Sequence, residues 1–145
     1  MAFRRTGLFC LLTMLLAAEF TLPCSTAAHA NGAGAASGGL AGCGSRSSGK
    51  ELHNCVAGVL DRLAAQNSYA PEMQAEIMRA ASGLRAAANK AQAVLAITQC
   101  QNVIATALKQ AVASGTFVRG FGRAEGLGHI ARVIAQAVRL IQAKG

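Results

Sequence analysis

The apolar residues between positions 50 and 145 recur every three or four places, which restricts this part of the chain to helices. The first stripe with this spacing consists of Leu52, Cys55, Val56, Val59, Leu60 and Leu63. Residues spaced in this way share one face of a helix and can pack against a neighbouring element. No segment alternates apolar with polar residues, and aromatic residues make up only 4% of the chain, so no strand is predicted.

Three boundaries divide the helical region. Pro71 has the fixed φ that suits a first helical position, so a helix is predicted to begin there. The segment 71–114 forms one helix or, if it breaks at Asn89-Lys90, two. The Gly-rich stretch 115–128 is predicted to be a loop, and the last helix to run over about 129–143. We therefore expect an all-α fold, a small antiparallel bundle of three or four helices in a domain that spans residues 50–145.

Residues 31–49 precede this domain and consist almost entirely of Gly, Ala and Ser. A segment of this composition has few side chains to bury and is typical of a flexible linker. Ser48 and Glu51 have the Ser-x-x-Glu spacing of a capping box, which predicts that the first helix begins at this point.

The first thirty residues have the layout of an export signal. Arg4 and Arg5 precede an apolar run over 7–18, and residues 28–30 (Ala-His-Ala) give the small-x-small pattern that signal peptidase cuts. The run is shorter than the roughly 20 apolar residues that a spanning helix needs. We predict a signal peptide over 1–30 and a periplasmic or secreted protein. Another cut site and an uncleaved anchor are the alternatives.

Removal of the signal would leave a strongly basic protein. The chain has 14 basic and 6 acidic residues, and the signal contains Arg4, Arg5 and Glu19. The remaining 12 basic and 5 acidic residues give a formal charge of +7. Such a charge draws a protein towards anionic membranes or polymers.

Cleavage would also leave three of the five cysteines, Cys43, Cys55 and Cys100. Two of them are expected to pair in an oxidising compartment. Cys55 and Cys100 lie on the apolar stripes of two different predicted helices, so we predict a disulfide between them. It would close a loop of about 45 residues and stabilise the fold by about 4 kcal/mol in the chain-entropy argument. The alternative is that both are buried free thiols.

Cys43 lies in the predicted linker and is left over as a free or intermolecular thiol, unless it captures one of the other two. Residues 40–43 (Leu-Ala-Gly-Cys) also spell a lipobox. A long polar and Gly-rich stretch separates them from the apolar run, whereas lipidation requires the cysteine directly after it. Lipid anchoring through Cys43 is therefore the alternative to a soluble exported form.

No metal site, cofactor or catalytic centre is predicted. His53 and Cys55 are ligand types for zinc, but they lie two residues apart on a helix and no Cys-x-x-Cys or His-x-x-x-His pair occurs. Beyond the predicted signal, four of the five carboxylates occupy helix caps, turns or polar helix faces, and the fifth lies in the predicted Gly-rich loop; they are Glu51, Asp61, Glu72, Glu76 and, in the loop, Glu125. A nucleophile motif such as Gly-x-Ser-x-Gly is absent, so the sequence favours a protein that is not an enzyme.

Basic charge concentrates in the last part of the chain, where six basic residues are opposed only by Glu125; they are Lys109, Arg119, Arg123, Arg132, Arg139 and Lys144. The candidate contacts with an anionic surface are Arg119, Phe121, Arg123, Arg132 and Arg139. Arginines beside aromatic rings can stack on bases or enter a lipid headgroup layer. Residues 119–122 match the start of an RNA-binding motif, but the second aromatic residue is missing, so no specific nucleic acid is predicted. The alternative is that Phe117 and Phe121 cover the end of the bundle.

These observations predict an exported helical protein that binds or supports other components of a cell envelope without catalysing a reaction. Its partner is a protein or an anionic envelope surface. The alternative function is a cationic amphipathic binder of anionic membrane surfaces or polymers through residues 109–144, with peripheral membrane contact. A third is a thiol redox or metal protein built on the cysteines.

Overall fold

The computed structural model describes residues 32–46, 48–68 and 70–145, and most of these residues are helical. The elements in chain order are α1 (Gly32–Arg46), α2 (Gly49–Gln66), α3 (Pro71–Ala86), α4 (Lys90–Ala113), β1 (Phe117–Val118), β2 (Gly122–Arg123) and α5 (Ala124–Lys144). The all-α prediction is confirmed. The predicted signal peptide over 1–30 lies outside the described residues. None of the described helices is both long and apolar enough to cross a membrane.

A single core of buried residues connects all five described helices. Its largest fully buried side chains are Leu40, Leu52, Leu60, Leu63, Met73, Ile77, Leu84, Ile97, Ile104, Leu127, Ile134 and Ile141. Helix α2 packs against α3, α3 against α4, and α4 against α5, while α1 contacts both α2 and α5. The apolar stripes predicted from the helical spacing supply most of this core.

Helix α1 occupies the segment that was predicted to be a flexible linker, and that prediction is wrong for residues 32–46. The glycines that suggested flexibility permit close packing instead. A β-carbon at Gly39 would lie 3.0 Å from Cγ2 of Val59 on α2, and one at Gly44 would lie 2.8 Å from Cδ1 of Leu140 on α5. Leu40, which lies between these two glycines in the sequence, is fully buried. Tertiary packing therefore outweighs the low intrinsic helix propensity of glycine.

The boundaries of α2, α3 and α4 are only partly those predicted. Ser48 occupies the N-cap position of α2, but its side chain makes no capping hydrogen bond, so the predicted capping box does not form. The segment 71–114 forms two helices, and the break falls at the predicted place. Asn89 caps α4 by accepting a hydrogen bond from the backbone N–H of Gln92 at 3.0 Å. Lys50 donates to the backbone carbonyl of Ala87, 2.8 Å away, just beyond the end of α3.

Residues 115–128 contain structure where only a loop was predicted. Strands β1 and β2 pair antiparallel, with Phe117 opposite Arg123 and Val118 opposite Gly122. The turn between them needs the left-handed backbone of Gly120, whose φ is +80°. Helix α5 then begins at Ala124, earlier than predicted, because fully buried Leu127 anchors a first turn in which glycines disfavour helix.

Candidate functional site

The cysteines pair differently from the prediction. Cys43 and Cys55 form the disulfide, with their Cα atoms 5.7 Å apart, and Cys100 is a buried free thiol. The predicted Cys55–Cys100 bond is wrong because the two stripes do not face each other: α2 and α4 each pack on α3. The missed signal is the helical spacing of Ala36, Leu40 and Cys43, which places all three on the buried face of α1.

The Cys100 thiol has no features of a reactive cysteine. Burial, together with the nearby charge of Glu76, raises its pKa to about 12, although Arg79 acts in the opposite direction. Because the thiolate is the nucleophile and the metal ligand, a thiol with so high a pKa is inert near neutral pH. Cys100 therefore acts as a small apolar side chain in the cleft between α3 and α4.

His53 is a buried polar side chain of α2 and lies outside any candidate site. It is 2% exposed, and neither ring nitrogen has a hydrogen-bond partner. Burial, and to a smaller extent the charge of Lys50, lower the pKa of its imidazole below the ordinary value. Across the part of the chain that the structure describes, no three His, Cys, Asp or Glu side chains lie close enough together to hold a metal ion.

The five residues predicted to contact an anionic surface fall into two places. Arg119 and Arg123 are exposed on the hairpin, whose tip rests on the start of α3, where the backbone N–H of Met73 donates to the carbonyl of Gly120 at 3.4 Å. Phe121 is half-buried and packs against the core, whereas Phe117 is 63% exposed. The alternative that both rings cover the bundle therefore holds for Phe121 alone.

Arg132 and Arg139 belong to the second place, a groove of about 470 Å³ between α1 and α5. Its polar lining consists of Ser37, His129, Arg132, Gln136 and Arg139, and its remaining lining of Gly34, Val133 and Ala135. We call these residues the α1–α5 groove. An Nη2 of Arg132 lies 2.7 Å from Nδ1 of His129. The sequence indicated the two arginines but not Ser37, because the wall to which Ser37 belongs exists only when α1 is folded. It did not indicate His129, because the contact of this residue with Arg132 depends on a side-chain rotamer.

The arginines of the α1–α5 groove have no carboxylate partner within the described residues. The ion pairs of the described residues lie elsewhere: Arg79 pairs with Glu76 on α3, and Arg85 on α3 pairs with Asp61 on α2. No acidic side chain lines the groove itself. Its arrangement can therefore offer several hydrogen-bond donors and two positive charges to an anion.

No protein-family model, curated protein or solved structure matches this chain.

Proposed function

We propose that the chain is an exported binding protein of a cell envelope, built as a small antiparallel helical bundle, which does not catalyse a reaction. The Cys43–Cys55 disulfide carries this proposal. Disulfides persist in oxidising compartments and are rare in the cytosol, which agrees with the export layout of residues 1–30. The disulfide also uses the sulfur that the lipobox alternative needs, so it favours a form without a lipid anchor.

The positions of the reactive residue types support binding over catalysis. Asp61 and Glu76 are engaged in ion pairs with Arg85 and Arg79. The Cys100 thiol is buried with a raised pKa, which argues against the thiol redox alternative. These side chains have structural partners or are shielded from solvent, whereas Arg132 and Arg139 are exposed beside each other on α5 without an ion pair among the described residues.

Export is tested by expressing the full chain in a bacterium and isolating the protein from the periplasm and the medium. We expect N-terminal sequencing of the exported protein to begin at Asn31. Alkylation before denaturation, followed by mass spectrometry, should find Cys43 and Cys55 linked. A product that retains Met1 and stays in the cytosol with all five thiols free would contradict the proposal.

A second candidate function is binding of anionic membrane surfaces or polymers through residues 109–144. Its specific support is that Arg132 and Arg139 lie exposed on α5 without an ion pair among the described residues. The opposite face of α5 is buried through Ile130, Val133, Ile134 and Ile141, so this helix presents charge to solvent and apolar side chains to the core. Contact with an anionic surface would therefore be electrostatic and leave the fold intact.

Co-sedimentation with vesicles tests this candidate. We expect the mature protein to sediment with phosphatidylglycerol vesicles at low ionic strength and to remain in solution with phosphatidylcholine vesicles. Added salt should weaken the binding, because at 0.1 M ionic strength it screens the attraction between exposed charges that are more than about 10 Å apart. Equal sedimentation with both lipids, or with neither, would rule the candidate out.

A further inference from the structure

We infer that the α1–α5 groove is a binding site for a phosphate-bearing anion, an inference that deepens the second candidate function. The groove is a concave feature between two helices, and it collects donors from both of them. The exposed arginines of the hairpin, Arg119 and Arg123, do not line it. The inference therefore assigns anion binding to one place rather than to the basic surface in general.

The hydrogen bond between Arg132 and His129 assigns the tautomer of the histidine ring. A guanidinium can only donate, so Nδ1 of His129 must accept, and the proton of the neutral ring is then on Nε2. Because His129 lines the groove, its Nε2–H group is available as a donor in the proposed site. Arg132 keeps its other N–H groups free for a ligand, since the contact with His129 uses only one Nη atom.

The number of donors favours a phosphate group over a carboxylate. A carboxylate has two oxygens and is satisfied by one arginine fork, whereas a phosphate ester presents three strong acceptor oxygens. Ser37 on α1 and Gln136 on α5 add uncharged donors to those of Arg132 and His129. Arg139 lies two turns from Arg132, about 10 Å along the helix axis, with Gln136 between them, so the two long arginine side chains can converge on one phosphate group above Gln136.

The groove exists only while α1 is in place, because Gly34 and Ser37 form its second wall. Helix α1 is held by its close packing against Val59 and Leu140 and by the disulfide to α2. Small residues at this wall keep the groove open over the arginines. Binding in the groove should therefore depend on the disulfide, whereas binding to exposed basic residues elsewhere should not.

The inference is tested by calorimetric titration of the mature, oxidised protein with inorganic phosphate, glycerol 1-phosphate and acetate, and by co-sedimentation with phosphatidylglycerol vesicles. We expect phosphate or its ester to bind and acetate to bind at least about tenfold more weakly. Arg132→Gln and Arg139→Gln should each lower the affinity for phosphate about tenfold, because each removes a charge-assisted pair of hydrogen bonds. Arg139→Lys should lose most of this affinity although it keeps the charge, because an ammonium cannot form the planar fork.

The matched controls are Arg119→Gln and Arg123→Gln, which remove the same charge outside the groove and should change the affinity for inorganic phosphate and glycerol 1-phosphate less than twofold. Circular dichroism checks that each variant remains folded. If binding of glycerol 1-phosphate and binding to vesicles both depend on Arg132 and Arg139, the ligands of the groove include free phosphate esters. If only binding to vesicles depends on them, the ligand is a lipid headgroup. Both results support the site. Equal losses in all four glutamine variants would overturn the groove and leave the second candidate function standing. Absence of binding to every phosphate probe and to vesicles would overturn both.

Discussion

Gly83 of α3 and Ala96 of α4 bring the backbones of these helices together, because a β-carbon at position 83 would lie only 2.8 Å from Cβ of Ala96. Neither atom belongs to a side chain that could rotate away, so any larger residue must push the helices apart. Close contacts also form between α1 and its two neighbours, where β-carbons at Gly39 and Gly44 would meet the side-chain ends of Val59 and Leu140. Small residues inside helices are thus the means by which this fold packs with few large side chains.

We expect Gly83→Ala to destabilise the protein by about 1–3 kcal/mol, the usual result of overpacking a core contact. Gly58→Ala on α2 is the matched control, since the nearest atom to its new β-carbon would be Nη1 of Arg62 at 4.0 Å. The control should stabilise the protein by about 0.5–1 kcal/mol through helix propensity. Urea denaturation measures both, and a stabilising Gly83→Ala would show that the close approach is not a constraint.

Loss of the Cys43–Cys55 disulfide is expected to destabilise the fold by about 3 kcal/mol, since the loop it closes is 12 residues long. The double variant Cys43→Ser/Cys55→Ser should therefore unfold at lower urea concentration than the oxidised parent, and α1 should lose protection from amide exchange first. Addition of a reductant should bring the parent to the stability of this variant. A reductant that also destabilises the double variant would indicate that another bond is involved.

Stability should fall with decreasing pH because of His53. Its folded-state pKa lies below the unfolded value of about 6.5, so the unfolded chain takes up the proton first. The neutral His53 ring contributes fully to the free energy of unfolding above pH 6.5. This contribution is lost as the pH falls towards the folded-state pKa, and the free energy of unfolding falls by no more than about 1.4 kcal/mol per pH unit for one proton. His53→Leu removes the buried unpaired nitrogens and should flatten this dependence over pH 5 to 7 in denaturation curves. An unchanged pH profile would assign the effect to other groups.

The Cys100 thiol should resist alkylation in the native protein. With a pKa of about 12 it carries almost no thiolate at pH 8, and its burial restricts access of the reagent. Iodoacetamide labelling followed by mass spectrometry should therefore modify Cys100 only at the rate of unfolding. In Cys43→Ser, the freed and half-buried Cys55 serves as an internal comparison and should react faster. Equal rates at the two positions would contradict the assignment of Cys100 to the core.

Elements whose burial follows from their own spacing could be predicted from the sequence. The stripe of α2 was found because branched apolar residues at helical intervals are typical of a buried helix face, and the possible break at Asn89-Lys90 was placed correctly. Helix α1 was missed, because the helical spacing of Ala36, Leu40 and Cys43 is a weak signal among so many glycines. Its glycines resemble a linker until Val59 and Leu140 are known to lie against them. The hairpin was missed because its strands have two residues each, too few to show alternation.

The candidate site was predictable to the extent that it lies on one helix. Arg132 and Arg139 share a face of α5 by their spacing alone, and this could be recognised without a structure. Ser37 lies almost a hundred residues away in the chain, on a helix that was not expected. The hydrogen bond that orients His129 depends on a side-chain rotamer, which sequence patterns do not specify.

The disulfide also changes what a break in the backbone does to this molecule. Arg46 and Lys50 both lie between Cys43 and Cys55 and are sites of cleavage by trypsin-like proteases. A single cut at either place divides the polypeptide, yet the sulfur bridge still joins the two fragments. Such a nicked protein would migrate as one species on a gel without reductant and as two with it. The disulfide would then be the covalent link between helix α1, which forms one wall of the α1–α5 groove, and the rest of the bundle.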